Sequence, residues 1–318
     1  VNAPDLTTRT TAAPWFSGED IAAAVSPRRA RELIERALRS GFDPASDPAR
    51  THVAAGEGHL LLMPSVIGPW TGTKVASVSP GNPERGLPRI QAVYVLMDTQ
   101  TLTPRALLQG DGLTALRTPA VSAVAADRLT VSDARKLVVF GTGPQALAHI
   151  EACADIRDFR EVVINGRQES GVQTAVDFAR GLGLAARAGS VEDVADADLV
   201  VCATSSGTPL FDGGVVPDSA CVVAMGSHEP DRRELDTGLV TRSQVVVEDT
   251  GTALREAGDV IMAAEGSGDP ARAVDLVELV DLVNDRVAPD WSRPRVFKGV
   301  GMSWQDLAVA GGVVETMP

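Results

Sequence analysis

The stretch VVFGTGPQALAHI, residues 138–150, constrains this chain more than any other. An apolar run that ends on Gly-Thr-Gly reads as a buried strand entering a tight turn. The Pro and the alanines beyond it read as the start of a helix. In that setting Gly141 permits the turn, Gly143 lets the backbone come close to a pyrophosphate, and Ala146 lets the helix pack near the sheet. Pro144 suits the first helical position, where its missing N–H costs least. The amides of Gln145 and Ala146 are left to face an anion at the positive end of the helix. A Gly-x-Gly-x-x-Ala turn alone is weak evidence, but here the context repeats. Apolar segments recur at 137–140, 161–165, 199–203, 221–225 and 244–248, with helical stretches that include 144–154 and 171–182 between several of them. That alternation predicts an α/β fold built on a Rossmann-type, doubly wound parallel sheet.

The end of the second strand separates the two nicotinamide dinucleotides. An acid that bonds the ribose 2′-hydroxyl is expected about 20 residues beyond the turn. This chain has Ile164-Asn165-Gly166-Arg167 there, with no acid at the tip. Arg167 suits a 2′-phosphate instead, so NADP(H) is the expected cofactor and NAD(H) the second candidate.

Length and composition set the remaining bounds. A chain of 318 residues exceeds what one core usually holds, which predicts two domains. Apolar residues at 44% are enough for both cores. A net charge of −13 speaks against nucleic acid or an anionic membrane as a partner. No apolar run reaches the roughly 18–20 residues of a membrane span, and VNAPDLTTRTTAAPW lacks the apolar centre of a secretory signal. Cys153, Cys202 and Cys221 each sit in an apolar segment and read as reduced core residues of a cytoplasmic protein. His52, His59, His149 and His228 have no metal-ligand spacing with them, so no metal is expected.

Ahead of the glycine turn, residues 1–14 read as a loose tail. Ser17-Gly18-Glu19-Asp20 opens one helix, and Ser26-Pro27 opens a second that runs to about Leu38. Short strands are expected at 60–64 and 74–78, and a hairpin at 90–97 and 106–109. An Ala- and Val-rich helix follows, with Thr114 as its cap. The tail of the chain, VFKGVGMSWQDLAVAGGVVE, reads as a Gly-containing loop and a helix.

Several of these segments together resemble the ornithine cyclodeaminase/mu-crystallin family. The strongest is LTALRTPAVSAVAADRL followed closely by VVFGTGPQA. LLLMP, TKVASVSPGN, MGSHEPDRREL and FKGVGMSWQDLA agree with it in order and spacing, from about Arg50 to Leu307. The resemblance implies a second, α+β domain for substrate binding and dimerisation, built from residues 1–126 with 299–318, beside a dinucleotide-binding domain at 127–298. It implies a homodimer and a small imino- or amino-acid substrate. It extends the cofactor site beyond Gly141, Thr142, Gly143, Pro144, Gln145, Ala146, Asn165 and Arg167 to Ala203, Thr204, Ser205, Met225, Gly226, Gly299 and Val300. It places the substrate carboxylate on Arg50, Lys74 and Arg117. The chemistry suits them: Arg offers a bidentate fork, and a buried Lys beside other cations can give up a proton.

Two departures from the family pattern bear on the reaction. The cyclodeaminases carry a Glu directly before their Leu-Met-Pro, and this chain has Leu61 there. They carry an Asp in the loop after the fourth strand of the dinucleotide fold, and here Gly226-Ser227 leads into His228. Ring-closing deamination needs groups that move protons on and off the substrate amines. Reduction of a C=N bond needs a hydride donor, a carboxylate clamp and one proton source, for which Lys74 and His228 are the candidates. The expected activity is therefore NAD(P)H-dependent reduction of a small 2-imino acid or cyclic ketimine, or the reverse amino-acid dehydrogenation. The alternatives are a cyclodeaminase that uses bound NAD without net redox change, and a cofactor-bound binding protein.

Overall fold

A computed structural model of the chain describes residues 12–265 and 273–316. The first eleven residues of the expected N-terminal tail lie outside that range.

The N-terminal half forms a six-stranded sheet. Strands β2 (Thr51–Ala55), β3 (Gly58–Ile67), β4 (Trp70–Val78), β5 (Ile90–Asp98) and β6 (Pro104–Gln109) make an antiparallel meander, and β1 (Trp15–Phe16) joins β6 in parallel. β3 and β4 run well past the apolar cores that announce them. Pro64 is accommodated because β2 pairs only as far as Leu62, so the side of β3 that lacks an N–H faces no neighbour. Helix α1 (Gly18–Ala24) opens on a reciprocal capping box between Ser17 and Asp20, and α2 (Pro27–Arg39) is capped by Ser26. One face of the sheet is buried, through Met63, Ser65, Lys74, Ala76, Tyr94, Leu96 and Leu108.

The long helix α3 (Gly110–Leu129) packs on that face and also against the second sheet. Thr114 does not cap it. The chain turns from β6 straight into the helix at Gly110, and the Thr114 hydroxyl donates to the Gly110 carbonyl one turn back.

The second sheet has eight strands, all parallel, in the order β13-β12-β14-β11-β10-β7-β8-β9. In chain order these are β7 (Lys136–Phe140), β8 (Glu161–Asn165), β9 (Ala186–Ala188), β10 (Leu199–Cys202), β11 (Cys221–Ala224), β12 (Gln244–Val247), β13 (Asp275–Glu278) and β14 (Arg295–Lys298). Helices α4 (Pro144–Ala154), α5 (Glu169–Gly181), α6 (Thr237–Arg242), α7 (Thr250–Glu256), α8 (Gly258–Ala264) and α9 (Leu279–Val283) connect them. The central strands are buried on both faces, which is why they read as unbroken Val and Leu runs. β9, β13 and β14 carry charged residues in runs of three or four, too short to announce themselves. The winding reverses between β7 and β10, which opens a crevice beyond their carboxyl ends. The chain then leaves the second sheet, and helix α10 (Ser303–Glu315) packs back on β3, β4, α2 and α3 of the N-terminal half.

Candidate active site

The crevice at the reversal is a cavity of about 1190 Å³. Its wall includes Gly141, Thr142, Gly143, Pro144 and Gln145 from the β7–α4 turn, Asn165 and Arg167 beyond β8, and Ala203, Thr204 and Ser205 beyond β10. Gly141 has a φ of +121°, and a Cβ there would stand 2.4 Å from the carbonyl oxygen of Ala203. Only glycine fits that approach. A Cβ on Gly143, the N-cap of α4, would meet nothing within 4 Å, so the end of the helix faces open space. The side-chain amide nitrogen of Asn165 and the side-chain oxygen of Gln145 are buried without a partner among the described residues. A positive helix end, an uncluttered glycine and two unpaired polar atoms on one wall suit a dinucleotide. Arg167 is exposed at the rim and makes no ion pair or hydrogen bond among the described residues. Gly189, Ser190 and Val191 after β9 complete the wall beside it, a contribution the sequence did not announce.

Five expected cofactor residues are not on this wall. Ala146 is fully buried behind the turn, where it packs the helix against the strand. Met225 and Gly226 follow β11, and Gly299 and Val300 follow β14, further along the same edge of the sheet. These loops are tied together from below. The Glu234 carboxylate accepts from the Thr204 amide, the Thr204 hydroxyl and the Gly226 amide, each at 2.7 Å. Asp259 accepts from the amides of Glu234 and Leu235, and its other oxygen pairs with the buried Lys298 ammonium at 3.1 Å. Lys298 also donates to the carbonyl of Ser227.

The basic residues lie beside the loop after β14, with Lys74 on the buried face of the first sheet. Lys74 is only 4% exposed on the buried face of β4; its ammonium meets Asp306 at 2.8 Å and Thr114 at 3.2 Å. Arg117 of α3 donates to the Gln305 side-chain oxygen at 2.9 Å, and its Nε lies 3.4 Å from Asp306. Gly301, at φ +76°, stands so close that a Cβ would lie 2.5 Å from Arg117. Arg50, on the approach to β2, donates to the Gly301 carbonyl at 2.5 Å and pairs with Glu256 of α7 at 2.9 Å. The three cations are near enough to act on one another. Burial pushes the Lys74 pKa down to about 8, Asp306 opposes this, and Arg117 and Arg50 push it the same way. Burial also lowers Arg50, with Glu256 opposing and Arg117 assisting.

His228 stands at the exposed margin of the loop after β11. Enclosure by the surrounding protein, and then the Arg50 guanidinium, hold its pKa below the usual histidine value. Leu61 is on the same face of β3 as Met63, which pairs with Lys74 across the ladder, so its apolar side chain borders the cation cluster. Sequence reasoning assigned no role to Gln305, Asp306, Glu248 or Glu256. The signal was present in part: Gln-Asp interrupts an otherwise apolar helix in SWQDLAVAGGVV, and both residues are fully buried.

A profile of the ornithine cyclodeaminase/mu-crystallin family matches residues 18–318. The chain belongs to that family. It is 32% identical over 300 residues to the Delta(1)-pyrroline-2-carboxylate reductase of Colwellia psychrerythraea, covering 90% of this chain and 94% of that protein. It is 29% identical to the ketimine reductase mu-crystallin of Mus musculus, covering 83% and 82% of the two chains. Its fold is similar to that of Thermococcus litoralis Delta(1)-pyrroline-2-carboxylate reductase, solved in complex with NADH and L-proline. There the TM-score is 0.88 at 27% identity, with 95% of this chain and 97% of that one covered. The dinucleotide turn and the Lys74–Arg117 cluster of this family member therefore stand in a fold shared with nicotinamide-dependent reductases.

Proposed function

We propose that this protein is an NAD(P)H-dependent reductase of a cyclic 2-imino acid of the Delta(1)-pyrroline-2-carboxylate type. The observation that carries the proposal is the placement of the Lys74 ammonium. It is buried beside Arg117, which packs against Gly301 of the loop after β14, with the apolar Leu61 on the same face of the sheet. Arg117 has one terminal nitrogen without a partner among the described residues, and that nitrogen with Arg50 would hold the substrate carboxylate. Lys74 would give its proton to the imine nitrogen, or keep that nitrogen protonated, as carbon accepts hydride. Bound in the cradle of Gly141–Gln145, Asn165 and Thr204, the nicotinamide cofactor supplies that hydride. His228 shields the open side of the site and is a second proton source. Leu61 and His228 stand where the cyclodeaminases carry their two acids, so a ring-closing deaminase is disfavoured.

Three narrower assignments belong to the same proposal. Arg167, free at the rim, favours NADP(H) over NAD(H). Residues 1–126 with 299–318 form the substrate and dimerisation domain, and 127–298 the cofactor domain; the packing of α10 on the first sheet supports this division. The chain works as a homodimer through the outer face of the six-stranded sheet. The activity is tested by following NADPH and NADH absorbance with Delta(1)-pyrroline-2-carboxylate and with L-proline. Stoichiometric oxidation of the cofactor by the imine is expected. Conversion of ornithine to proline without a change in absorbance would overturn the proposal.

A further inference from the structure

Asp306 sits in the first turn of α10, with no exposed surface. It reaches two cations carried by different elements. One carboxylate oxygen takes the Lys74 ammonium of β4 at 2.8 Å. The other lies 3.4 Å from Nε of Arg117 on α3, and neither of those two atoms has a hydrogen bond among the described residues. The preceding residue finishes the arrangement. Gln305 accepts from Arg117 at 2.9 Å and donates to Glu248, which also takes the amides of Val300 at 2.7 Å and Gly301 at 3.0 Å. Two adjacent side chains of one helix thus fix both cations and link them to the loop after β14.

The charges explain why an acid stands there. Lys74 and Arg117 are both buried and act on one another, with Arg50 nearby, and two buried like charges repel strongly. The groups that face Lys74 are Asp306 from α10, Thr114, Asp111 and Arg117 from α3, Tyr94 from β5 and Arg50 from the approach to β2. Asp306 is the anion in direct contact among the described residues, and the first turn of a helix, where it lies, favours an anion.

We infer that Asp306 is the positioning residue of the proposed reduction: it keeps Lys74 protonated and aimed, and holds Arg117 at a fixed distance from it, without touching substrate. The inference rests on the reductase reading. In the proton step an Nζ–H bond of Lys74 breaks, its electron pair stays on Nζ, and an N–H bond forms on the substrate nitrogen. Asp306 keeps an N–H of Lys74 bonded before and after, and solvent returns the proton once product has left.

The chain has three lysines, Lys74, Lys136 and Lys298. A lysine-labelled sample therefore gives three side-chain amine signals, and Lys74→Gln identifies the relevant one. In the Asp306→Asn protein the Lys74 signal should titrate about 1–3 pH units lower than in the wild type. Reduction of Delta(1)-pyrroline-2-carboxylate should lose its alkaline limb by the same amount, with kcat at pH 8 down at least about fivefold. The KM for the nicotinamide cofactor should not change. Asp306→Glu keeps the charge but moves it by one methylene, and should give a titration closer to wild type and an intermediate kcat. Should Asp306→Asn fail to fold, the Glu variant decides: wild-type titration and kcat there would overturn the inference. A Lys74 titration unmoved in Asp306→Asn would also overturn it. A wild-type protein that reduces no imino acid would refute the reductase reading alone, because the titration still reports the hold of Asp306 on Lys74.

Discussion

Arg167 and His149 show how much one side chain can decide. Arg167 stands at the edge of the cavity beyond β7, without a partner among the described residues, in the segment where an acid would select NAD(H). A charge-assisted bond to a 2′-phosphate is worth about 1.5–3 kcal/mol. Arg167→Ala should therefore weaken NADPH binding roughly 10- to 100-fold, and fluorescence titration with NADH should be nearly unaffected. Equal affinity of the unmutated protein for both cofactors would count against the assignment. His149 is fully buried between α3 and α4, with its ring nitrogens 2.7 Å from the Gln145 carbonyl and 2.9 Å from the Ser122 hydroxyl. Burial pushes its pKa down to about 4, partly offset by the bond to Gln145. The folded value lies below the unfolded one of about 6.5. Its stabilising share is thus complete above pH 6.5 and is lost as pH falls toward 4. Asp47 acts with the opposite sign, since burial pushes its carboxyl up to about 6. The useful comparison is therefore with His149→Gln, not the raw pH profile. Between pH 7 and pH 5 the wild type should lose about 2 kcal/mol more than the variant in urea unfolding.

At the scale of elements, the β7–α4 turn carries the cofactor site and tolerates least. Gly141→Ala puts a Cβ at φ +121° and 2.4 Å from the Ala203 carbonyl. The strain of about 1–3 kcal/mol is relieved only by moving the two loops apart, which spoils the cradle. Loss of measurable NADPH binding is expected in a protein that still unfolds cooperatively; retained affinity would show that the loops can give. This turn was legible because a buried parallel strand, a glycine pair and a helix start all left local marks. The ends of β3 and β4 were not, since cross-strand pairing extends them over residues with no pattern of their own. Thr114 misled for a related reason: a Thr near a helix start reads as a cap, but its place depends on where β6 releases the chain. Lys74 and Arg117 were found through family resemblance. Their partner Asp306 was overlooked because its role exists only once α10 returns 232 residues later in the chain to meet β4.

On the scale of the whole molecule, the six-stranded sheet poses a question its own chain does not answer. An antiparallel sheet covered on one face is expected to be polar on the other. Here the outer face carries Leu62, Val75 and Val93 in one cross-strand row, Val95 and Leu107 beside it, and Val53 and Val66 toward the margins. Val53, Val66 and Val93 are 43%, 52% and 37% exposed in the single chain. A contiguous apolar face of this kind calls for a partner, and a second copy applied about a two-fold axis would cover it with its own equivalent face. The cofactor cradle is built from the second sheet and its loops, and Lys74 lies on the opposite, buried face of the six-stranded sheet. Val93→Glu should therefore separate the two properties. A buried, unpaired carboxylate is strongly unfavourable, and two-fold symmetry would impose it on both sides of the interface. Light scattering should report half the wild-type mass, while NADPH affinity and the far-ultraviolet dichroism stay unchanged. A variant that keeps the wild-type mass, or a wild type that is already monomeric, would mean that this face is covered in some other way.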